Sequence, residues 1–234
     1  MKYSFESRVR FSELGEDRKM TINSVLDRFQ DCSNFHSEAA GLGMDHLMKK
    51  KKVWLLSSWQ ICVNRYPGLG EKVITSTWAY DFRSFYGFRN FTLETKEGEV
   101  LAYAASVWFY FDLESGRPTR VDQEELDGYG FHEKFPMEYA PRKISLWDSG
   151  ELVDSITIKR GQLDMNHHVN NGEYVRMAAD CLPEGFAIRQ MRAEYKKQAQ
   201  LGDQLISKLH RGDGLYMVSL ESLDGDVYAI VEFL

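Results

Sequence analysis

The chain has 234 residues, 43% of them hydrophobic, so it is long and apolar enough to bury one large core or two small ones. Its formal net charge of -6 argues against a general nucleic-acid binder, which needs a basic face to neutralise phosphates. Three cysteines are too few for a disulfide framework, so we expect reduced thiols and a cytoplasmic location.

The start of the chain and its apolar runs bear on membrane targeting. The first residues, MKYSFESRVRF, contain a lysine but no apolar run behind it, so we expect no secretory signal. No uninterrupted apolar stretch approaches the ~20 residues that span a bilayer. We therefore expect a soluble protein with no membrane span.

The first half predicts one helix followed by four strands. Apolar residues recur at helical spacing from Ile22 to Ser33, and Gly41 offers a C-terminal stop. Runs rich in β-branched and aromatic residues, bounded by Gly or Pro, predict strands at 53–66, 72–80, 86–95 and 99–111. After them, residues 112–141 carry much charge and several prolines, which is typical of a linker.

The second half predicts the same layout. A strand-like run at 152–160 leads to a polar segment, and Asn171 then caps a helix that Pro183 and Gly185 stop. Four strand-like runs follow at 187–199, 204–210, 215–220 and 227–234. Each half therefore predicts a helix laid across an antiparallel meander, which makes the fold class α+β.

Matching segments indicate an internal duplication. Residues 93–102 and 220–229 share the pattern L-E-x-x-acid-G-acid-V-x-A. Further upstream, Leu69-Gly70 matches Leu201-Gly202, and Asp31-Cys32 matches Asp180-Cys181. The matches keep their order, with offsets of 127, 132 and 149 residues, as expected if the first copy has longer connections.

The polar segment before the second helix concentrates residues suited to chemistry. It contains Asp164, Asn166 and His168, which share one face of an extended chain because alternate side chains point the same way. Fully extended, Asp164 and His168 would stand about 13 Å apart at ~3.3 Å per residue. The segment must therefore curl if the three side chains serve one reacting atom.

Two other interpretations of this segment stay open at this point. One is a plain helix-entry loop in which Asn170 and Asn171 serve as caps and the histidines face solvent. The other is a zinc site, but His167 and His168 point apart in a strand, and no Cys or Glu lies nearby at a metal-site spacing.

The stretch Asp-Met-Asn-His-His-Val-Asn-Asn, 164–171, resembles the signature of acyl-acyl carrier protein (acyl-ACP) thioesterases of plant plastids and bacteria. The stretches 54–67 and 194–197 are similar to further segments of that family, in the family's order. The resemblance implies two tandem hot-dog domains. We expect an N-terminal domain at 1–113 that shapes the acyl pocket, a linker at 114–141, and a catalytic domain at 142–234.

The resemblance also implies the site and its partner. Asp164, Asn166 and His168 are the expected catalytic residues, and the partner is an acyl carrier protein that carries a fatty acyl thioester. Where the family usually has Glu-Cys, this sequence has Gln198 and Ala199. An amide cannot accept a proton, so we expect Gln198 to place water while Asp164 and His168 carry the proton chemistry. No cofactor or metal is expected, and the chain is a candidate homodimer.

Three other functions compete with hydrolysis of acyl-ACP. A hot-dog acyl-CoA thioesterase would use the same chemistry with a different carrier. A hot-dog dehydratase of 3-hydroxyacyl thioesters also uses His with a carboxylate, but it releases no free thiol. A non-catalytic acyl-binding module would retain its ligand without hydrolysing it.

Overall fold

A computed structural model describes residues 2–234, and these residues form two compact units. The first unit holds the described residues up to Ser57 together with Ile61–Ala140. The second unit holds Ser58–Gln60 and Pro141–Leu234. Among residues 2–234, none of the helices combines the length and apolarity that a membrane crossing needs.

The first unit contains strands β1 to β6 and helices α1 to α3, except that Ser58–Gln60 of β2 belong to the second unit. The strands are β1 (Tyr3–Arg8), β2 (Lys52–Val63), β3 (Lys72–Arg83), β4 (Tyr86–Thr95), β5 (Val100–Asp112) and the short β6 (Arg117–Pro118). The helices are α1 (Ile22–Ala39), α2 (Met44–Lys50) and α3 (Gln123–Tyr129). The sheet runs in the order β1, β3, β4, β5, β2. Strand β1 pairs with β3, β3 with β4 and β4 with β5, all antiparallel.

Helix α1 lies across this sheet and buries one apolar face. Val25, Leu26 and Phe29 are completely buried at helical spacing, and the ring of Phe29 lies 5.3 Å from that of Phe91 on β4. Thr21 caps the helix by accepting the Ser24 N–H at 3.1 Å. Burial of this face stabilises the unit because apolar surface leaves water.

The second unit repeats the arrangement with one helix. It contains β7 (Glu151–Thr157), α4 (Asn171–Ala179), β8 (Gln190–Tyr195), β9 (Gln204–Arg211), β10 (Tyr216–Glu221) and β11 (Val227–Phe233). Its strands run in the order β8, β11, β10, β9, β7, all antiparallel. Helix α4 packs on β10 and β11. The predicted α+β class, with a helix on an antiparallel sheet in each half, is confirmed.

Several local details differ from the sequence prediction. Strand β1 and helices α2 and α3 were not predicted, and the expected linker 114–141 contains β6 and α3, with its residues up to Ala140 in the first unit. The cap of α4 is Asn170 and not Asn171, because the Asn170 side chain accepts the Gly172 N–H at 2.9 Å. The domain limits inferred from the sequence stay predictions.

Equivalent backbone hydrogen bonds support the duplication. In the first unit, Val9 N–H donates to the Glu71 carbonyl at 3.0 Å, and Gly70 N–H donates to the Val9 carbonyl at 3.0 Å. In the second unit, Ile158 makes the same exchange with Asp203 at 2.9 Å and with Gly202 at 3.1 Å. The pairs Val9 and Ile158, and Gly70 and Gly202, lie 149 and 132 residues apart, which are offsets that the sequence matches gave.

Candidate active site

The segment expected to carry the chemistry forms a tight hairpin. Leu163 and Val169 pair as an isolated antiparallel bridge. Between them, Asp164 N–H donates to the His168 carbonyl at 2.8 Å, and His167 N–H donates to the Asp164 carbonyl at 3.1 Å. The chain curls as the sequence argument requires, and it sets the backbones of Asp164 and His168 opposite each other.

The carboxylate of Asp164 organises this hairpin. Its Oδ1 accepts the Asn166 N–H at 2.8 Å and the His168 N–H at 3.2 Å. These two bonds orient the carboxylate and leave Oδ2 outside them. Asp164 and His168 are half-buried and Asn166 is exposed. The three predicted residues lie within five consecutive positions of one turn.

His167 makes the turn possible. It adopts a left-handed backbone conformation, with φ 61°, which lets the chain reverse between Asp164 and His168. Its side chain is exposed. This conformation gives His167 a backbone role in the hairpin and leaves His168 as the half-buried imidazole.

Helix α4 begins directly after the hairpin. The Asn170 side chain accepts the Gly172 N–H at 2.9 Å, and the Asn170 carbonyl accepts the Glu173 N–H at 2.9 Å. The Asn171 N–H takes no part in these bonds. A backbone N–H at a helix N-terminus is suited to stabilising a developing negative charge, since the helix dipole adds to its own partial charge.

The segment that carries Gln198 is hydrogen-bonded to the hairpin through the next residue, Ala199. Ala199 is completely buried, and its carbonyl accepts the Val169 N–H at 3.0 Å. Its N–H donates to Tyr174 Oη on α4 at 2.8 Å. The Gln198 side chain is exposed. The backbone thus brings the segment with Gln198 beside the hairpin with Asp164, although they are more than thirty positions apart in sequence.

Tyr174 was not predicted from the sequence, and it is the polar group that connects α4 to this segment. Burial raises the pKa of its hydroxyl to about 12, with smaller contributions from Tyr228, Asp203 and Asp164, so the hydroxyl stays protonated at neutral pH. Its equivalent in the first copy, 149 residues earlier, is Val25. That polar replacement on a buried helix face is the signal that could have identified it.

Glu194 makes its side-chain contacts with the segment that enters the second unit. Its Oε2 accepts the Ile144 N–H at 2.9 Å, and its Oε1 lies 3.9 Å from Arg142. These contacts join β8 to the segment that enters the second unit. Both carboxylate oxygens of Glu194 are thus engaged by that segment.

The first unit contains a hairpin of the same shape with different side chains. Gly15 N–H donates to the Lys19 carbonyl at 2.8 Å, and Arg18 N–H donates to the Gly15 carbonyl at 3.0 Å. Arg18 has φ 62°, as His167 does in the second hairpin. Gly15, Asp17 and Lys19 occupy the places of Asp164, Asn166 and His168. The first hairpin therefore has no carboxylate at the place of Asp164 and no imidazole, and its own carboxylate, Asp17, stands where the second hairpin has an amide and accepts the Lys19 N–H at 3.0 Å.

The lysine run 49–52 is engaged within the first unit. Lys50 forms ion pairs with Asp122 at 3.0 Å and Glu124 at 2.8 Å. Lys51 pairs with Glu114 at 2.5 Å, and Lys52 pairs with Asp112. These carboxylates offset the positive charges of Lys50, Lys51 and Lys52, which makes the run a weak candidate for docking an acidic carrier protein.

Two family descriptions match this chain. Residues 1–129 match the acyl-ACP thioesterase N-terminal domain, and residues 148–226 match the acyl-ACP thioesterase C-terminal domain. The chain is 28% identical over 207 residues to the palmitoyl-acyl carrier protein thioesterase of Arabidopsis thaliana chloroplasts, with 81% of this chain and 50% of that protein covered. It is 23% identical over 224 residues to an oleoyl-acyl carrier protein thioesterase of the same plant, with 87% and 62% covered. The chain thus spans about half the length of the first relatives it matches.

Solved structures match the fold over nearly the whole chain. An acyl-ACP thioesterase from Bacteroides thetaiotaomicron aligns with a TM-score of 0.93 at 22% identity, covering 100% of this chain and 97% of that one. A 12:0-ACP thioesterase from Umbellularia californica aligns with a TM-score of 0.88 at 20% identity, covering 99% and 96%. These matches confirm the expected fold of two hot-dog domains in sequence.

Proposed function

Because this chain belongs to the acyl-ACP thioesterase family, we propose that it hydrolyses fatty acyl-ACP to free fatty acid and carrier protein, in fatty acid biosynthesis. The observation that carries the proposal is the second hairpin, which holds Asp164 by two backbone N–H groups. The first hairpin keeps the same backbone but has no equivalent of the Asp164 and His168 side chains. We therefore expect a single site per chain, in the second unit. The first unit then shapes the acyl pocket.

Hydrolysis requires one bond to form and one to break. A water oxygen attacks the thioester carbonyl carbon, the C–S bond breaks, and the carrier thiolate takes up a proton. Asp164 and His168 carry the proton from water to the leaving sulfur, since a carboxylate and an imidazole can each accept a proton and give it up again. Asn166 polarises the carbonyl, the Asn171 N–H stabilises the oxyanion, and Gln198 holds the water by hydrogen bonds.

The direct test is release of free thiol by the purified chain. We expect thiol and fatty acid in equal amounts from acyl-ACP, and a loss of about a hundredfold or more in kcat for Asp164→Asn, since general acid–base groups contribute on this scale. The amide oxygen of asparagine keeps an acceptor for the N–H groups of Asn166 and His168, so this variant should stay folded. Product without free thiol would indicate dehydration, and retained ligand without product would indicate a binding module.

The carrier protein is proposed as the partner that delivers the acyl chain. Lys196 and Arg160 are exposed, form no ion pair with another described residue, and flank the segments that carry Gln198 and Asp164. An acidic carrier would be steered by such charges. We expect Lys196→Glu to raise KM for acyl-ACP while leaving hydrolysis of acyl-CoA within about twofold, because rim charges act mainly on association. Equal loss on both substrates, or faster turnover of acyl-CoA by the unchanged chain, would contradict this partner.

Location and assembly stay predictions. The curated relatives are chloroplastic by name, whereas the composition of this chain led us to expect the cytoplasm. The homodimer is likewise a prediction, to be tested by the mass of the protein in solution.

A further inference from the structure

The two copies of the fold use the same carbonyl contact next to their hairpins. In the second unit, the Ala199 carbonyl accepts the Val169 N–H at 3.0 Å. In the first unit, the Pro67 carbonyl accepts the Met20 N–H at 2.9 Å. Ala199 and Pro67 lie 132 residues apart, which is an offset of the duplication. This contact therefore belongs to the shared architecture.

The contact to the N–H of the same residue exists only in the second copy. Ala199 N–H donates to Tyr174 Oη at 2.8 Å. The equivalent Pro67 has no N–H, and the equivalent of Tyr174 is Val25, which has no hydroxyl. The first copy forms its hairpin and its carbonyl contact without such a bond. The bond occurs in the copy that carries Asp164, Asn166 and His168.

Burial and ring packing fix the position of the Tyr174 hydroxyl beside the Ala199 N–H. Its side chain is only 2% exposed, and its ring packs edge-on against that of Tyr195 with centroids 5.9 Å apart. It stands on the first turn of α4, directly after the hairpin. Helix α4, the hairpin and the 198–199 backbone thus meet through Tyr174 and Val169, which bind the two polar groups of Ala199.

We propose that Tyr174 is a positioning residue: by holding the Ala199 amide, it sets Gln198 against the hairpin so that the Gln198 side chain can place the attacking water. The inference rests on the proposed hydrolase function. In this role Tyr174 acts on the reaction through the backbone that carries Gln198.

The test compares two hydroxyl deletions in the same unit. Tyr174→Phe removes the bond to Ala199. The control Tyr228→Phe removes a hydroxyl that donates to Asp203 Oδ2 at 3.3 Å; Ala199 and Asp203 both lie in the connection between β8 and β9. We expect Tyr174→Phe to lower kcat about ten- to a hundredfold with KM unchanged, since small misplacements in a site cost this much. Tyr228→Phe should keep kcat within about threefold, because it leaves the bond between Tyr174 and the Ala199 N–H in place.

A double variant separates positioning from loss of structure. In Tyr174→Phe with Gln198→Ala, the loss should equal that of Gln198→Ala alone, because residues that act through one another are not additive. Losses that multiply, or equal losses for the two tyrosine variants, would overturn the proposal.

Amide hydrogen exchange at Ala199 gives an arm that does not depend on activity. Exchange there should be faster in Tyr174→Phe than in Tyr228→Phe, and no difference would overturn the proposal. If the unchanged chain releases no thiol from acyl-ACP, the proposed function fails, and the exchange result still decides whether Tyr174 holds this segment.

Discussion

The two hairpins have the same backbone hydrogen bonds and differ in their side chains, and Asp164 is the clearest case. Gly15 adopts the same hydrogen-bonded turn in the first unit, closed by the Lys19 carbonyl as Asp164 is by that of His168. The sequence made Asp164, Asn166 and His168 candidates, by their residue types and by the resemblance of their segment to the family signature. It did not reveal that Asp164 Oδ1 binds two N–H groups of its own turn, because that depends on a left-handed residue between them.

His167 provides the prediction at this scale. Glycine adopts φ near 60° without the cost that other residues pay, so His167→Gly should keep kcat within about twofold and change the free energy of unfolding by less than about 1 kcal/mol. His167→Val should lower stability by about 1–2 kcal/mol, because a β-branched residue fits this conformation poorly. Arg18→Gly and Arg18→Val are the matched controls in the first hairpin. A loss of kcat in His167→Gly as large as that in His168→Ala would place the His167 imidazole in the chemistry.

At the scale of elements, the long amphipathic segments were predictable and the short polar ones were not. Helix α1 and the long strands carry enough periodic apolar residues to be recognised. Helix α2 spans only seven residues, with lysines in its last turn, and α3 begins with acidic residues inside a stretch typical of a linker. Contacts such as His46 Nε2 with Glu125 Oε1 at 2.7 Å join α2 to α3, and no local pattern reports such a contact.

The caps of the two main helices provide the prediction for elements. Asn170→Ala and Thr21→Ala each remove a side-chain acceptor from a helix N-terminus, so each should lower the free energy of unfolding by about 1 kcal/mol in chemical denaturation. Only Asn170→Ala should also lower kcat, because Asn170 orients the first turn that presents the Asn171 N–H. Equal kcat in the two variants would argue against an oxyanion role for that turn.

At the scale of the whole chain, the internal duplication carried the fold prediction. Sequence offsets of 149 and 132 residues correspond to equivalent backbone hydrogen bonds, such as those of Val9 with Gly70 and Ile158 with Gly202. The Tyr174 bond to Ala199 lay outside this reach, since it joins a helix to a segment twenty-five positions away and has no counterpart in the first copy.

The central claim is that one of two similar hairpins performs the hydrolysis. The measurement that tests it most directly is kcat for His168→Ala beside kcat for Lys19→Ala, with the same acyl-ACP substrate and with folding checked by thermal unfolding. We predict a loss of about a hundred- to ten-thousandfold for His168→Ala, the range that general acid–base groups supply, and activity close to that of the unchanged chain for Lys19→Ala. Full activity in folded His168→Ala, or an equal loss in Lys19→Ala, would contradict the account.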